Sequence, residues 1–265
     1  MAAARDQRVR ADGGTDARVL LAVRGAARSD APIDLALQLA VALEAELAGV
    51  FIEDSDLLRV AALPFTREVG RVTGALRPLD PGEVEASLRR QAEQVRHALA
   101  DLTRSSQVKW SFRVARGTLP GAVLSSARRA DIVVAGERRP PVRRTAGEGV
   151  QTVTVVFEPD RSGVRTLTTA LNLAGGRVER LAILVPDAAA ADLEALRRQA
   201  AQAVQAAPEL LRIATLPSRE AAGLVRSVRQ QSARALVLAP DSLHDGERQV
   251  RVLLEELPCP LVLVF

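Results

Sequence analysis

The residues best placed for acid–base chemistry are Glu53 and Asp54, adjacent carboxylates that close the apolar run Val50-Phe51-Ile52. Paired carboxylates at a strand end can act as acid and base. The structural alternative is that both are solvated, with Asp54 capping the next helical turn. Few other groups compete, since the chain has two histidines, one cysteine and no tyrosine. His97 follows Arg96 on a helical pattern with no second histidine or cysteine at ligand spacing, which reads as structural rather than metal-binding. Cys259 stands in Leu257-Pro258-Cys259-Pro260. A lone cysteine excludes an internal disulfide framework, fits a reducing compartment, and reads here as structural.

The elements that position these groups begin with Val19 to Val23, a continuous apolar run of the kind a strand shows when both faces are covered. Ser29 and Asp30 are suitable N-caps, and Pro32 suits a first helical turn. Ile33, Leu37, Ala40, Val41 and Leu47 form a helical stripe. Gly49 then breaks the chain, and Val50 to Ile52 start a second strand. Strand, helix and strand make a right-handed βαβ unit. The grammar returns between Thr152 and Asp187.

Between the repeats, Ser55 to Leu79 is too apolar for a free loop, with Leu57, Leu58, Val60, Leu63, Phe65 and Val69. It reads as a short helix and lip over the sheet, or as a lid or partner-binding lip. Asp80-Pro81-Gly82-Glu83 resembles a capping box before a helix over 81–103. A strand is expected over 109–116, a helix over 119–129 and a strand over 131–135. Residues 136–149 are polar, proline-bearing and basic, as in a linker. The second half predicts strands at 152–158, 180–185, 210–216, 234–239 and 261–265. Helices are expected near 162–174, 188–206, 219–231 and 246–257, with Ser162, Ser218 and Asp245 as N-caps and Gly175-Gly176 as a C-cap. The division is therefore a tail over 1–17, a first domain over 18–136, a linker over 137–150 and a second domain over 151–265.

Composition bounds the function classes. Apolar residues make 48% of the chain, so it is not disordered, and aromatics make only 2%, so the cores rest on Leu, Val and Ala. The net charge of +4 comes almost wholly from Arg, with Lys109 the only lysine. Arg and Glu alternate along helix faces and no aromatic-rich basic strand is present, which argues against nucleic-acid binding. No window is long and apolar enough for a membrane span, and the first residues lack the apolar core of a signal peptide. The expected location is cytoplasmic.

The opening strand RVLLAVRG with ARSD after it, the helix ALQLAVALEAEL, the strand AGVFIED, and later ARALVLAP and ELPCPLVLVF carry a resemblance. Their order is similar to that of the universal stress protein family in its tandem-domain form, and the ending looks like that family's terminal strand. The resemblance covers residues 18–265 and implies two doubly wound parallel-sheet domains, strand order 3-2-1-4(-5), with ligand clefts at the carboxyl ends of strands one and four. It implies a stress-response regulatory or scaffolding role, with protein partners or self-association, without catalysis.

ATP-binding members of that family carry an Asp after strand one and a loop G-x2-G-x9-G-(S/T) after strand four. Glycines there let backbone N–H groups approach phosphates closely. Here the first position is Arg24 in one half and Glu158 in the other. The loop positions are Gly136, Arg139 and Gly149, followed by Val150. The second half offers Ala239-Pro240-Asp241-Ser242, with no glycine. A decayed nucleotide site is the primary expectation, with no cofactor. The alternative is ATP or AMP in the first-half cleft, with Arg24, Gly25 and Gly136 framing it and Arg138 or Arg139 meeting phosphate. A response-regulator receiver, which shares the five-strand plan, requires an acidic pair after strand one and a lysine after strand five. Neither is present.

The first half lacks a fourth helix and a fifth strand. Its strand 131–135 would then expose unpaired backbone groups, and the apolar strand 261–265 would be an edge as well. Such edges are normally covered or paired. The two strands are therefore expected to meet at a junction between domains or subunits, with the linker folding over the edge as the competing possibility.

Overall fold

The computed structural model describes residues 17–25, 31–70, 74–126, 130–137, 152–186 and 192–265. In the first half the chain runs β1 (Arg18–Arg24), α1 (Ala31–Ala42), β2 (Glu46–Asp54), α2 (Ser55–Ala61), β3 (Arg67–Val69), β4 (Leu76–Pro78), α3 (Pro81–Thr103), β5 (Trp110–Gly117), α4 (Leu119–Ser125) and β6 (Ile132–Glu137). In the second half it runs β7 (Thr152–Val156), α5 (Arg161–Leu173), β8 (Leu181–Pro186), α6 (Leu193–Ala203), β9 (Arg212–Leu216), α7 (Ala221–Gln230), β10 (Ala233–Leu238), α8 (Gly246–Glu256) and β11 (Leu261–Val264). The Ser29-Asp30 cap, Arg138, Arg139, Gly149 and nearly all of the tail and linker lie outside the described residues.

All the strands except the β3–β4 hairpin join one nine-stranded sheet in the order β5-β2-β1-β6-β11-β10-β7-β8-β9. Each half repeats the expected 3-2-1-4 order, and only the second continues to a fifth strand. Every neighbouring pair is parallel except β6 and β11, which run antiparallel with Leu261 opposite Ala135, Val262 opposite Val134, Leu263 opposite Val133 and Val264 opposite Ile132. The two expected edges thus meet each other. The last strand of the second half takes the place of the strand missing from the first.

The pleat sends alternate side chains to two apolar layers. One holds Val19, Leu21 and Val23 of β1 with Val262 and Val264 of β11, beneath α1, α3, α5 and α6. The other holds Leu20, Ala22, Leu261 and Leu263 beneath α4, α7 and α8. Both layers cross the seam without a break. Polar contacts also span it. Gln38 of α1 donates to the carbonyls of Asn172 and Leu173, both 3.0 Å away at the last turn of α5, and accepts from Arg234 of β10 at 2.7 Å. Burial lowers the pKa of the Arg234 guanidinium, and the Arg180 charge lowers it further, while Asp34 opposes both. Thr118, at the start of α4, donates to Glu247 of α8 at 3.1 Å.

Several local expectations need correction. The helical stripe of the sequence runs to Leu47, but α1 ends at Ala42 and β2 already begins at Glu46. Gly49 does not break the chain. It lies inside β2, where an added Cβ would stand 3.0 Å from Leu99 of α3 and 3.0 Å from Phe112 of β5, so glycine is there for close packing. The cap of α5 is Asp160 rather than Ser162, its carboxylate accepting from the Gly163 N–H at 2.7 Å. That bond, with smaller help from Ser162, holds the Asp160 carboxyl below its ordinary pKa against a small burial effect. Glu220 rather than Ser218 holds the N-cap position of α7, Asp245 holds that of α8 as expected, and neither side chain makes a capping bond. Asp80 caps α3 as expected, but Glu83 pairs with Arg77 instead of reaching back to the cap.

Candidate functional site

In doubly wound sheets, ligands bind beyond the carboxyl ends of the strands. At the first-half end, Arg24 leaves β1 and meets Asp54 from the end of β2, Nη1 to Oδ2 at 2.6 Å. The two side chains are 30% and 16% exposed. Asp54 is doubly engaged, because its other oxygen accepts from the N–H groups of Asp56 and Leu57 and caps α2. Glu53 points to the other side of the sheet and pairs with Arg116 of β5 at 3.0 Å. The Arg116 pKa is raised by that hydrogen bond first, then by the charges of Glu53 and Glu85. Glu53 and Asp54 are therefore neither solvated nor poised as an acid–base pair. Each is bound to its own cation, on opposite faces of the sheet.

A cleft lies beside the Arg24–Asp54 pair. It is lined by those two residues, Asp56 of α2, Thr118 to Pro120 of α4, and Arg251, Leu254 and Glu255 of α8. Its volume is about 90 Å³, against the roughly 300 Å³ or more that small-molecule sites occupy. Three carboxylates share it with two guanidiniums, a mixture that gives a polyphosphate no net attraction.

Gly25 and Gly136 do come together here. Val23 and Gly136 are register partners on β1 and β6, and Gly25 follows with φ of +81° and open space around it. Gly136 is buried and closed in. An added Cβ would lie 3.2 Å from Cγ of Pro32 and 3.6 Å from Cα of Pro260. Because β11 is antiparallel to β6, its start lies beside the end of β6, so the Pro258-Cys259-Pro260 turn occupies the ground next to Gly136. Arg138 and Arg139 fall outside the described residues.

At the second-half end, Glu158 fills the position that corresponds to Arg24. Its Oε1 accepts from Arg219, which follows β9, at 3.2 Å and from Ser242, which follows β10, at 2.8 Å. Gln249 of α8 is buried, donates to the Arg219 carbonyl and accepts from the N–H groups of His244 and Asp245. The turn into α5 is tight as well, since a Cβ on Gly163 would fall 1.7 Å from the Glu158 carbonyl oxygen. Sequence reasoning did not find this network. Its signals were a glutamine on the apolar face of α8 and polar residues just past three strand ends. Among the described residues there is no cluster of three or more His, Cys, Asp or Glu able to hold a metal ion.

One solved-structure neighbour is a universal stress protein. It comes from Archaeoglobus fulgidus DSM 4304, with a TM-score of 0.48 and 9% identity over 92% of this chain and 95% of that one. A functionally unknown protein from Pseudomonas aeruginosa PAO1 has a TM-score of 0.47 and 10% identity over 94% and 92%. No protein-family model matches the chain, and no curated protein matches it. At these identities the α/β assignment stands on the strand order and register described above. No helix among the described residues is long and apolar enough to cross a membrane.

Proposed function

We infer that this chain is a non-catalytic, universal stress protein-like regulatory or scaffolding protein that acts by binding other proteins. One observation carries the reading: the strand ends that serve as ligand clefts in this architecture are filled by the protein's own groups. Arg24 is held by Asp54, Gly136 packs against Pro32 and Pro260, and Glu158 is bound by Arg219 and Ser242. The absence of catalysis is supported by the engagement of Glu53 and Asp54 in separate ion pairs.

A thermal-shift titration with ATP, AMP and cyclic AMP tests this. At ligand near a millimolar, stabilisation stays below about 1 kcal/mol, because ligand must exceed Kd several-fold to stabilise more. A larger effect that disappears in the Arg138→Glu, Arg139→Glu double variant supports the adenine-nucleotide alternative at the first-half cleft instead.

A further inference from the structure

The outer edge of the first half is an eight-residue strand, β5, paired on one side only, to β2. The Leu47 N–H donates to the Lys109 carbonyl, and Leu47 is the register partner of Trp110. In a parallel ladder this phase directs the backbone groups of Ser111, Arg113 and Ala115 toward β2. Those of Trp110, Phe112, Val114 and Arg116 point outward, where they can bond a further strand.

The side chains along this edge divide by face. Trp110 and Phe112 are half-buried against the α3 layer, and Val114 beside them is 47% exposed. On the opposite face Arg113 is exposed and makes no ion pair or side-chain hydrogen bond among the described residues. Lys109, just before the strand, is in the same state, whereas Arg116 is neutralised by Glu53 and Glu85. The far edge, β9, is a shorter strand, and its largest apolar side chains, Ile213 and Leu216, are half-buried or buried.

We propose that β5 is a docking edge for an extended segment of another protein that alternates acidic and apolar residues and adds a strand to the sheet. Backbone bonds at Trp110, Phe112, Val114 and Arg116 supply the register, as in other strand additions. Val114 receives the apolar side chains, and Arg113 with Lys109 receives the carboxylates. Charge also disfavours a second copy. An antiparallel self-pair centred on Arg113 sets that residue against its own copy, and like charges directly opposite are destabilising. Charged edge residues can also serve only to ward off strand pairing, and the experiment separates the two roles. The proposal rests on the reading of the chain as a protein-binding scaffold.

Trp110, the only tryptophan, reports from the edge itself. The full chain is titrated with a short synthetic peptide alternating glutamate and valine, and with its lysine–valine counterpart, while Trp110 emission is followed. The glutamate peptide gives saturable binding and the lysine peptide none. Arg113→Glu weakens binding at least about tenfold. Val114→Pro does the same, since it deletes an outward N–H while sparing every bond to β2. Arg212→Glu on β9 changes nothing, and circular dichroism confirms that each variant is folded. No binding of the glutamate peptide overturns the proposal, as does equal binding of the lysine peptide or a β5-mediated dimer on size exclusion. Binding that survives both β5 variants also overturns it, while leaving the scaffold reading intact with a different surface.

Discussion

Asp54 does two jobs, and three substitutions separate them. Asp54→Ala removes both the N-cap of α2 and the ion pair with Arg24. Loss of an Asp cap costs about 0.5–2 kcal/mol. A charge-assisted hydrogen bond in a half-buried site is worth about 1.5–3 kcal/mol before solvent screening, and the 30% exposure of Arg24 places it near the lower bound. Asp54→Ala should therefore cost about 2–4 kcal/mol. Asp54→Asn keeps the capping oxygen and gives up the charge, for about 1 kcal/mol. Arg24→Ala leaves Asp54 bound to two backbone N–H groups, and its cost should resemble that of the Asn variant. Urea unfolding followed by circular dichroism gives the three values. If Asp54→Asn is as costly as Asp54→Ala, the cap contributes nothing. If Arg24→Ala is the most costly of the three, Asp54 is not the centre of this end of the sheet.

Three further expectations follow from single sites. The Thr154 hydroxyl is fully buried on β7 with no hydrogen-bond partner among the described residues, so Thr154→Val should raise stability by about 1 kcal/mol in urea unfolding. Gly163→Ala drives a methyl into the Glu158 backbone and should destabilise by more than about 3 kcal/mol, far beyond an ordinary helix substitution; a loss under about 1 kcal/mol would show that the turn is not tight. Asp160 has a lowered carboxyl pKa, so its contribution is full above the unfolded value near 4 and is lost as pH falls through the lower folded value. The stability gap between wild type and Asp160→Asn should therefore shrink in acid unfolding below about pH 4 and stay constant above about pH 5.

Much of the fold was legible because its signals are local. The runs Val19 to Val23 and Val153 to Val156 have the length and composition of strands covered on both faces, and Asp80-Pro81 fixes the start of α3. The absent fifth strand was legible as a deficit, and the physics of unpaired edges then led to β11. The boundary between α1 and β2 was not, because Leu47 continues the helical stripe by spacing and Gly49 looks like a breaker until Leu99 and Phe112 are seen packed on it. The site was less readable still. Arg24 and Asp54 are remote in sequence, as are Glu158, Arg219 and Ser242, and nothing local announces such pairs. The filling of the space beside Gly136 depends on the antiparallel seam, which brings Pro260 there from the other end of the chain.

Among the described residues the first half has no closing strand of its own and takes β11 from the second, which makes the two halves one sheet. Native-state hydrogen exchange tests this most directly, read at the amides that the register sends across the seam, Val133 and Ala135 in β6 and Leu261 and Leu263 in β11. If the seam is a true ladder, the amides of both strands exchange only through one shared opening, with equal free energies and equal denaturant dependence. Exchange of the β6 amides through a lower-energy opening, with β11 still protected, would contradict a shared sheet.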